Sequence, residues 1–178
     1  FSTGLLKVGL NGAFQTFNAG LAVAALDLLR DSARFRKLFP RITAARLVRG
    51  LTRVRHNTRL SGRMITAGPG RRVLLDVAHN QDGIHAAVSS MVGEGTTGLT
   101  VVFGVMKEKA YVPMLKQLEW VADEIITVQP KNPRAARASL LCRAARHQGL
   151  TAVEGGTVRE GLRIALKRRR RVLVIGSH

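Results

Sequence analysis

The sequence predicts an α/β fold: a Rossmann-like, doubly wound and mostly parallel sheet, preceded by a helical segment. Three observations carry this. Beyond Ser61-Gly62, short runs rich in Val, Ile and Leu alternate with stretches of helical spacing. Those runs are too short for buried helices and read as strands covered on both faces. Such alternation implies parallel pairing with helices on either side of the sheet. Finally, polar residues follow the strands, as in Asp76-Val77-Ala78-His79-Asn80 and Gln129-Pro130-Lys131-Asn132. In open α/β sheets that edge is where ligands bind.

From Gln15 to Leu29, Phe17, Leu21, Ala25 and Leu28 recur at helical spacing, after the turn signal Asn11-Gly12. Residues 35–40 read as an arginine-rich connector. A second helix is expected over 42–54, capped by Thr43, with Ile42, Leu47, Leu51 and Val54 as its apolar stripe. The region boundary falls near residue 60. Five strands follow, at 72–77, 99–103, 124–128, a weak 152–153, and 171–175. Helices are expected near 82–92, 111–120, 133–147 and 158–167. Asp82 is a candidate cap for the first of these, and Pro133 a candidate first-turn residue of the third. Polar side chains are expected beyond every strand except the weak one, and residues 93–98 form a Gly/Thr-rich loop.

The 178 residues suffice for one domain, or one domain and part of another, and 46% apolar content supports a core. Cys142 is the sole cysteine, which excludes an internal disulfide and fits a reducing compartment. No apolar run approaches membrane-spanning length and no signal peptide opens the chain, so a cytoplasmic location is expected. The chain starts at Phe1 and reads as a fragment of a longer protein. A formal charge of +18 suits polyanions. Aromatic residues make up only 4%, however, and RNA readers stack bases on exposed aromatics, so nucleic acid is not the expected partner.

Arg63 and Asp76 carry the sharpest chemical signal. A guanidinium fits a phosphate, and a carboxylate at a strand end fits a ribose hydroxyl. Surface exposure of Arg63 and a plain strand-end cap by Asp76 are the bland alternatives.

Gly12-Ala13-Phe14-Gln15-Thr16-Phe17-Asn18-Ala19 resembles the G-x-x-Q-x-x-N-A segment of folylpolyglutamate synthases. Gly62-Arg63-Met64 and Leu74-Leu75-Asp76-Val77-Ala78-His79-Asn80 are similar to that family's G-R-[FL] and [IL]-[IL]-D-x-A-H-N. Phe103-Gly104-Val105-Met106-Lys107-Glu108-Lys109 resembles F-G-x-M-x-D-K, and Gly176-Ser177 sits where the family has T-G-S. The motifs run in order along nearly the whole chain, although the stretch from Asn18 to Arg63 is long for the family.

This resemblance, to the folylpolyglutamate/dihydrofolate synthase branch of the Mur-type ligases, implies an ATP-dependent reaction. A carboxyl group of dihydropteroate or folate is phosphorylated, and the amine of L-glutamate attacks the acyl phosphate. It implies residues 1–60 as the end of a central domain and 61–178 as the carboxyl-terminal domain. It assigns Asn18, Arg63 and Asp76 to ATP, with Asn18 and Arg63 in different regions that nucleotide would help to close. His79 and Ser177 are placed near glutamate and phosphate. Arg134, in Asn132-Pro133-Arg134, resembles a segment that grips the amino-acid substrate in some Mur ligases, and Lys107 is a candidate phosphate or carboxylate contact. Mg²⁺ is implied, with ligands outside this chain. Gln81 stands where the family usually has proline, and no G-x-x-G-K-[ST] cradle occurs, so the piece alone is expected to be inactive. A monomer is expected. The alternatives are a peptidoglycan-precursor Mur ligase, a basic nucleic-acid-binding module and a non-catalytic assembly domain.

Overall fold

The computed structural model describes residues 6–40, 42–60 and 62–176. The chain forms two compact units, Phe1–Arg63 and Met64–His178.

The first unit is helical. Helix α1 spans Phe14–Arg30 and α2 Ala33–Leu38; α3 spans Ala44–Thr52 and α4 Val54–Thr58. The turn at Asn11-Gly12 forms as expected: Gly12 has φ +102°, and its carbonyl accepts the N–H of Gln15 at 2.9 Å. Thr43 caps α3 by accepting the N–H of Arg46. The expected arginine-rich connector instead contains α2, because Ser32 supplies a cap by accepting the N–H of Phe35. The second helix breaks at Arg53 and continues as α4.

The second unit is a six-stranded sheet. Its elements are β1 (Ile65–Ala67), β2 (Val73–Asp76), α5 (Gln81–Gly93), β3 (Leu99–Gly104), α6 (Tyr111–Leu118), β4 (Ala122–Gln129), α7 (Ala138–His147), β5 (Ala152–Thr157), α8 (Val158–Leu166) and β6 (Val172–Gly176). The spatial order is β1-β2-β6-β3-β4-β5; β1 pairs antiparallel with β2 and all other pairings are parallel. The five expected strands are present. The sixth, β1, has only three half-buried residues and carries no readable periodicity.

Strand alternation sorts the core into two layers. Val102, Ile126, Val128 and Val172 pack with Ala165 of α8 on one face. On the other face the Thr127 hydroxyl donates to the Ala138 carbonyl of α7 at 2.9 Å. Every residue of β3 is buried. Each such Val, Leu, Ile or Phe contributes about 1.5–3 kcal/mol on leaving water. At Gly161, on α8, a Cβ would fall on Val128 Cγ1, so glycine lets the helix lie directly on β4.

Two expected helix starts and one strand end are corrected. Asn80, not Asp82, caps α5 by accepting the N–H of Gly83 at 2.8 Å; Asp82 lies in the first turn. Pro133 lies outside α7, which begins at Ala138. The intervening residues are held instead by an antiparallel bridge between Met106 and Ala135. The strand read as a weak 152–153 runs to Thr157, its pattern hidden by Gly155 and Gly156.

Candidate functional site

The carboxyl edge of the parallel sheet gathers the loops in question. At the end of β2, Asp76 is buried at 5% exposure. Its Oδ2 accepts the N–H of Met64 at 2.9 Å and its Oδ1 accepts the N–H of Ala78 at 2.8 Å. The Met64 nitrogen belongs to the peptide bond that Arg63 begins. Asp76 therefore fixes one end of the Arg63 backbone, and Met64 holds φ +47° beside it. A carboxylate engaged in this way is a brace as well as a strand end, which the sequence did not reveal.

His79 is half-buried, and its Nδ1 lies 2.9 Å from the Val77 carbonyl. A carbonyl only accepts, so this contact places the proton on Nδ1 and leaves Nε2 as the acceptor in the neutral ring. Asn80 then starts α5, so the loop Val77–Asn80 feeds the amino end of a helix, a place suited to anions.

Lys107 and Arg134 are brought together. The Lys107 N–H donates to the Arg134 carbonyl at 2.8 Å, and the Ala136 N–H to the Val105 carbonyl at 2.9 Å. This short ladder zips the loop after β3 to the loop after β4. It explains why 133–137 are not helical: their backbone groups are already engaged. Both side chains are exposed; the Arg134 guanidinium lies 3.6 Å from the Glu108 carboxylate.

Asn18 lies in the first unit, exposed on α1, and donates to Gln15 Oε1 at 3.2 Å. Ser177 lies outside the described residues. Just before it, Gly176 has φ +129°, and a Cβ there would collide with the Gly104 carbonyl. The ends of β3 and β6 thus approach backbone to backbone.

A cleft of about 740 Å³ opens at the same edge, beyond β4 and β5. Gln129, Lys131, Asn132, Glu154, Thr157 and Arg159 contribute to its lining, and none of the expected site residues does. Thr157 and Glu160 close the start of α8 with reciprocal bonds: the Glu160 carboxylate accepts the Thr157 N–H at 2.9 Å, and the Thr157 hydroxyl accepts the Glu160 N–H. The Thr157 N–H and hydroxyl hold the Glu160 carboxyl below its ordinary range. This strand end was the one from which no polar group was expected. The spacing Thr157-x-x-Glu160 is a capping-box signature that could have marked it. Among the described residues no three of His, Cys, Asp and Glu gather to hold a metal. Nor is any described helix long and apolar enough to cross a membrane.

Comparison with known proteins bears directly on this edge. The family model described as Mur ligase, glutamate ligase domain, matches residues 62–178. A dihydrofolate synthase/folylpolyglutamate synthase of Bacillus subtilis is 29% identical over 142 residues, 75% of this chain and 29% of its own length. A probable bifunctional folylpolyglutamate synthase/dihydropteroate synthase of Haloferax volcanii is 32% identical over 177 residues, 97% of this chain and 19% of its own. The Mycobacterium tuberculosis folylpolyglutamate synthase complexed with ADP and AMPPCP shares the fold with a TM-score of 0.75 at 23% identity, covering 97% of this chain and 39% of that one. The E. coli FolC complex with DHPP and ADP gives 0.70 at 24% identity, covering 90% and 36%. The chain thus spans under a third of these curated relatives' length. The sheet with its mostly parallel order, its polar carboxyl edge and a match covering 62–178 lead to one conclusion: this chain belongs to the Mur ligase family, through its glutamate ligase domain.

Proposed function

We propose that the chain is the carboxyl-terminal part of an ATP-dependent ligase that joins L-glutamate to dihydropteroate or a folate through an acyl phosphate. The observation that carries this reading is the Asp76 brace, at the position where the family motif has its aspartate and one peptide bond from the motif arginine. The names of the relatives in Bacillus subtilis and Haloferax volcanii support folate over a peptidoglycan precursor. Solved relatives bind ADP or AMPPCP, and one binds AMPPNP and a Mn ion, which supports nucleotide and divalent-metal use.

In this reading Arg63 meets the ATP phosphates, where negative charge shifts as the acyl phosphate forms. Asp76 holds the loop and the nucleotide side of the site, and Asn18 adds a third nucleotide contact. His79, with Nε2 free of the Val77 contact, meets the glutamate carboxylate or phosphate, and Ser177 is assigned to the same substrates by its motif. Lys107 and Arg134, joined by their backbone ladder, form a cationic lip for the acidic amino acid. Mg²⁺ would lower the repulsion between phosphates when bound elsewhere in the ligase. The protein acts as a monomer in the cytoplasm.

The test is direct. The full-length ligase, given ATP, Mg²⁺, L-glutamate and dihydropteroate or tetrahydrofolate, forms the glutamyl conjugate with one ADP released per bond. Conjugation of a peptidoglycan precursor in place of the pteridine substrate would reject the folate assignment.

A further inference from the structure

The loops after β3 and β4 hold Arg134 by its backbone on both sides. Its N–H donates to Asn132 Oδ1 at 2.9 Å, and its carbonyl accepts the Lys107 N–H at 2.8 Å. Glu108 follows Lys107, in a turn closed by the Lys109 N–H on the Met106 carbonyl at 3.1 Å. These anchored backbones bring two exposed side chains together: the Arg134 guanidinium lies 3.6 Å from the Glu108 carboxylate.

In these loops, residues 105–110 and 130–137, Glu108 is the only acid among five cations: Lys107, Lys109, Lys131, Arg134 and Arg137. Of the five, it is Arg134 that it meets across the two loops. A separation of 3.6 Å is too long for a hydrogen bond, so the pair is ionic. The contact runs through one nitrogen and leaves the other guanidinium donors open. Glu108 therefore neutralises Arg134 more than it orients it.

We propose that Glu108 is a placeholder for the substrate carboxylate: it occupies Arg134 until L-glutamate displaces it, and so sets the affinity of the lip for its acidic substrate. This rests on the reading of Arg134 as a grip for the amino acid. Two effects act with the same sign. The incoming carboxylate must break the Arg134–Glu108 pair, and it approaches the Glu108 charge while doing so. Both weaken binding of the acid. Turnover does not suffer, because tighter uniform binding would lower KM without raising kcat. Glu108 is thus a positioning residue that acts through Arg134.

The test uses the full-length ligase. Glu108→Gln keeps the length of the side chain and removes its charge. At low salt the KM for L-glutamate is expected to fall about two- to fivefold, the range of an exposed ion pair, while kcat and the KM for ATP stay at their wild-type values. Added salt narrows the difference, because both effects are screened. In an Arg134→Ala background most of the fall disappears, since no guanidinium remains to be released. A KM for glutamate that Glu108→Gln leaves unchanged or raises overturns the proposal, as does a fall equally large without Arg134. Arg134→Ala alone separates the two readings. If it raises the KM for glutamate, the grip stands whatever becomes of the placeholder; if the KM stays at the wild-type value, both are lost.

Discussion

The carboxylate of Asp76 accepts the N–H of Met64 at 2.9 Å, so the last residue of β2 holds the peptide bond that begins at Arg63. Its second oxygen holds Ala78 at 2.8 Å and shapes the loop that ends in His79 and Asn80. One buried anion therefore orders backbone on both sides of the strand end. Arg63 and the His79 loop, far apart in chain terms, depend on the same side chain.

Asp76→Asn keeps the size but turns one acceptor oxygen into a donor. One N–H, of Met64 or Ala78, then faces an NH₂ group and loses its bond. Chemical denaturation of the chain is expected to show a loss of about 1–3 kcal/mol. An unchanged midpoint would mean that solvent satisfies the released donor.

Two glycines in helices give opposite outcomes. Gly161→Ala drives a methyl group into Val128 of β4 and costs about 1–3 kcal/mol through overpacking. Gly20 is exposed on α1 with nothing within 4 Å of a Cβ, so Gly20→Ala gains about 0.5–1 kcal/mol. Thermal melts of the two variants beside wild type check both signs.

Glu124 supplies a pH dependence. The hydrogen bonds from Arg168 hold its carboxyl below the ordinary glutamate value, against the opposing effect of burial. Its contribution is fully present above the unfolded-state pKa and is lost as pH falls through the lowered folded value. Glu124→Gln should therefore flatten the acid limb of the stability profile below about pH 4 and leave its alkaline limb unchanged. Melts across that range measure the difference.

Thr157→Ala removes the two bonds of the α8 cap that involve the hydroxyl and leaves the bond from the residue 157 N–H to Glu160. Hydrogen exchange should quicken in the first turn of α8, at residues 158–160, while β6 stays protected. Faster exchange throughout α8 and β6 would instead make the cap part of the global core.

The parallel sheet was legible because Val73–Asp76, Leu99–Gly104 and Val172–Gly176 are apolar on both faces. Strand β1 was hidden by its length, and β5 by glycines that keep their place because α8 and β4 press on them: a Cβ on Gly155 would meet Ile126 Cγ2 at 2.5 Å. Pro133 has the spacing of a helix start, but the backbone of 134–136 is bonded to 105–107 and α7 begins later. The positions of Asp76 and His79 at a strand end were readable, but not the brace, since residue type says nothing of which N–H a carboxylate will accept. The Asn132-Pro133-Arg134 motif marks Arg134, but its local partner Glu108 is a contact no spacing rule foretells.

The most direct measurement is glutamate-dependent ADP release by the full-length ligase carrying Arg63→Ala. If that guanidinium meets the phosphates as the reading holds, turnover falls by roughly two to three orders of magnitude while the melting temperature barely moves. Turnover at the wild-type level would contradict it.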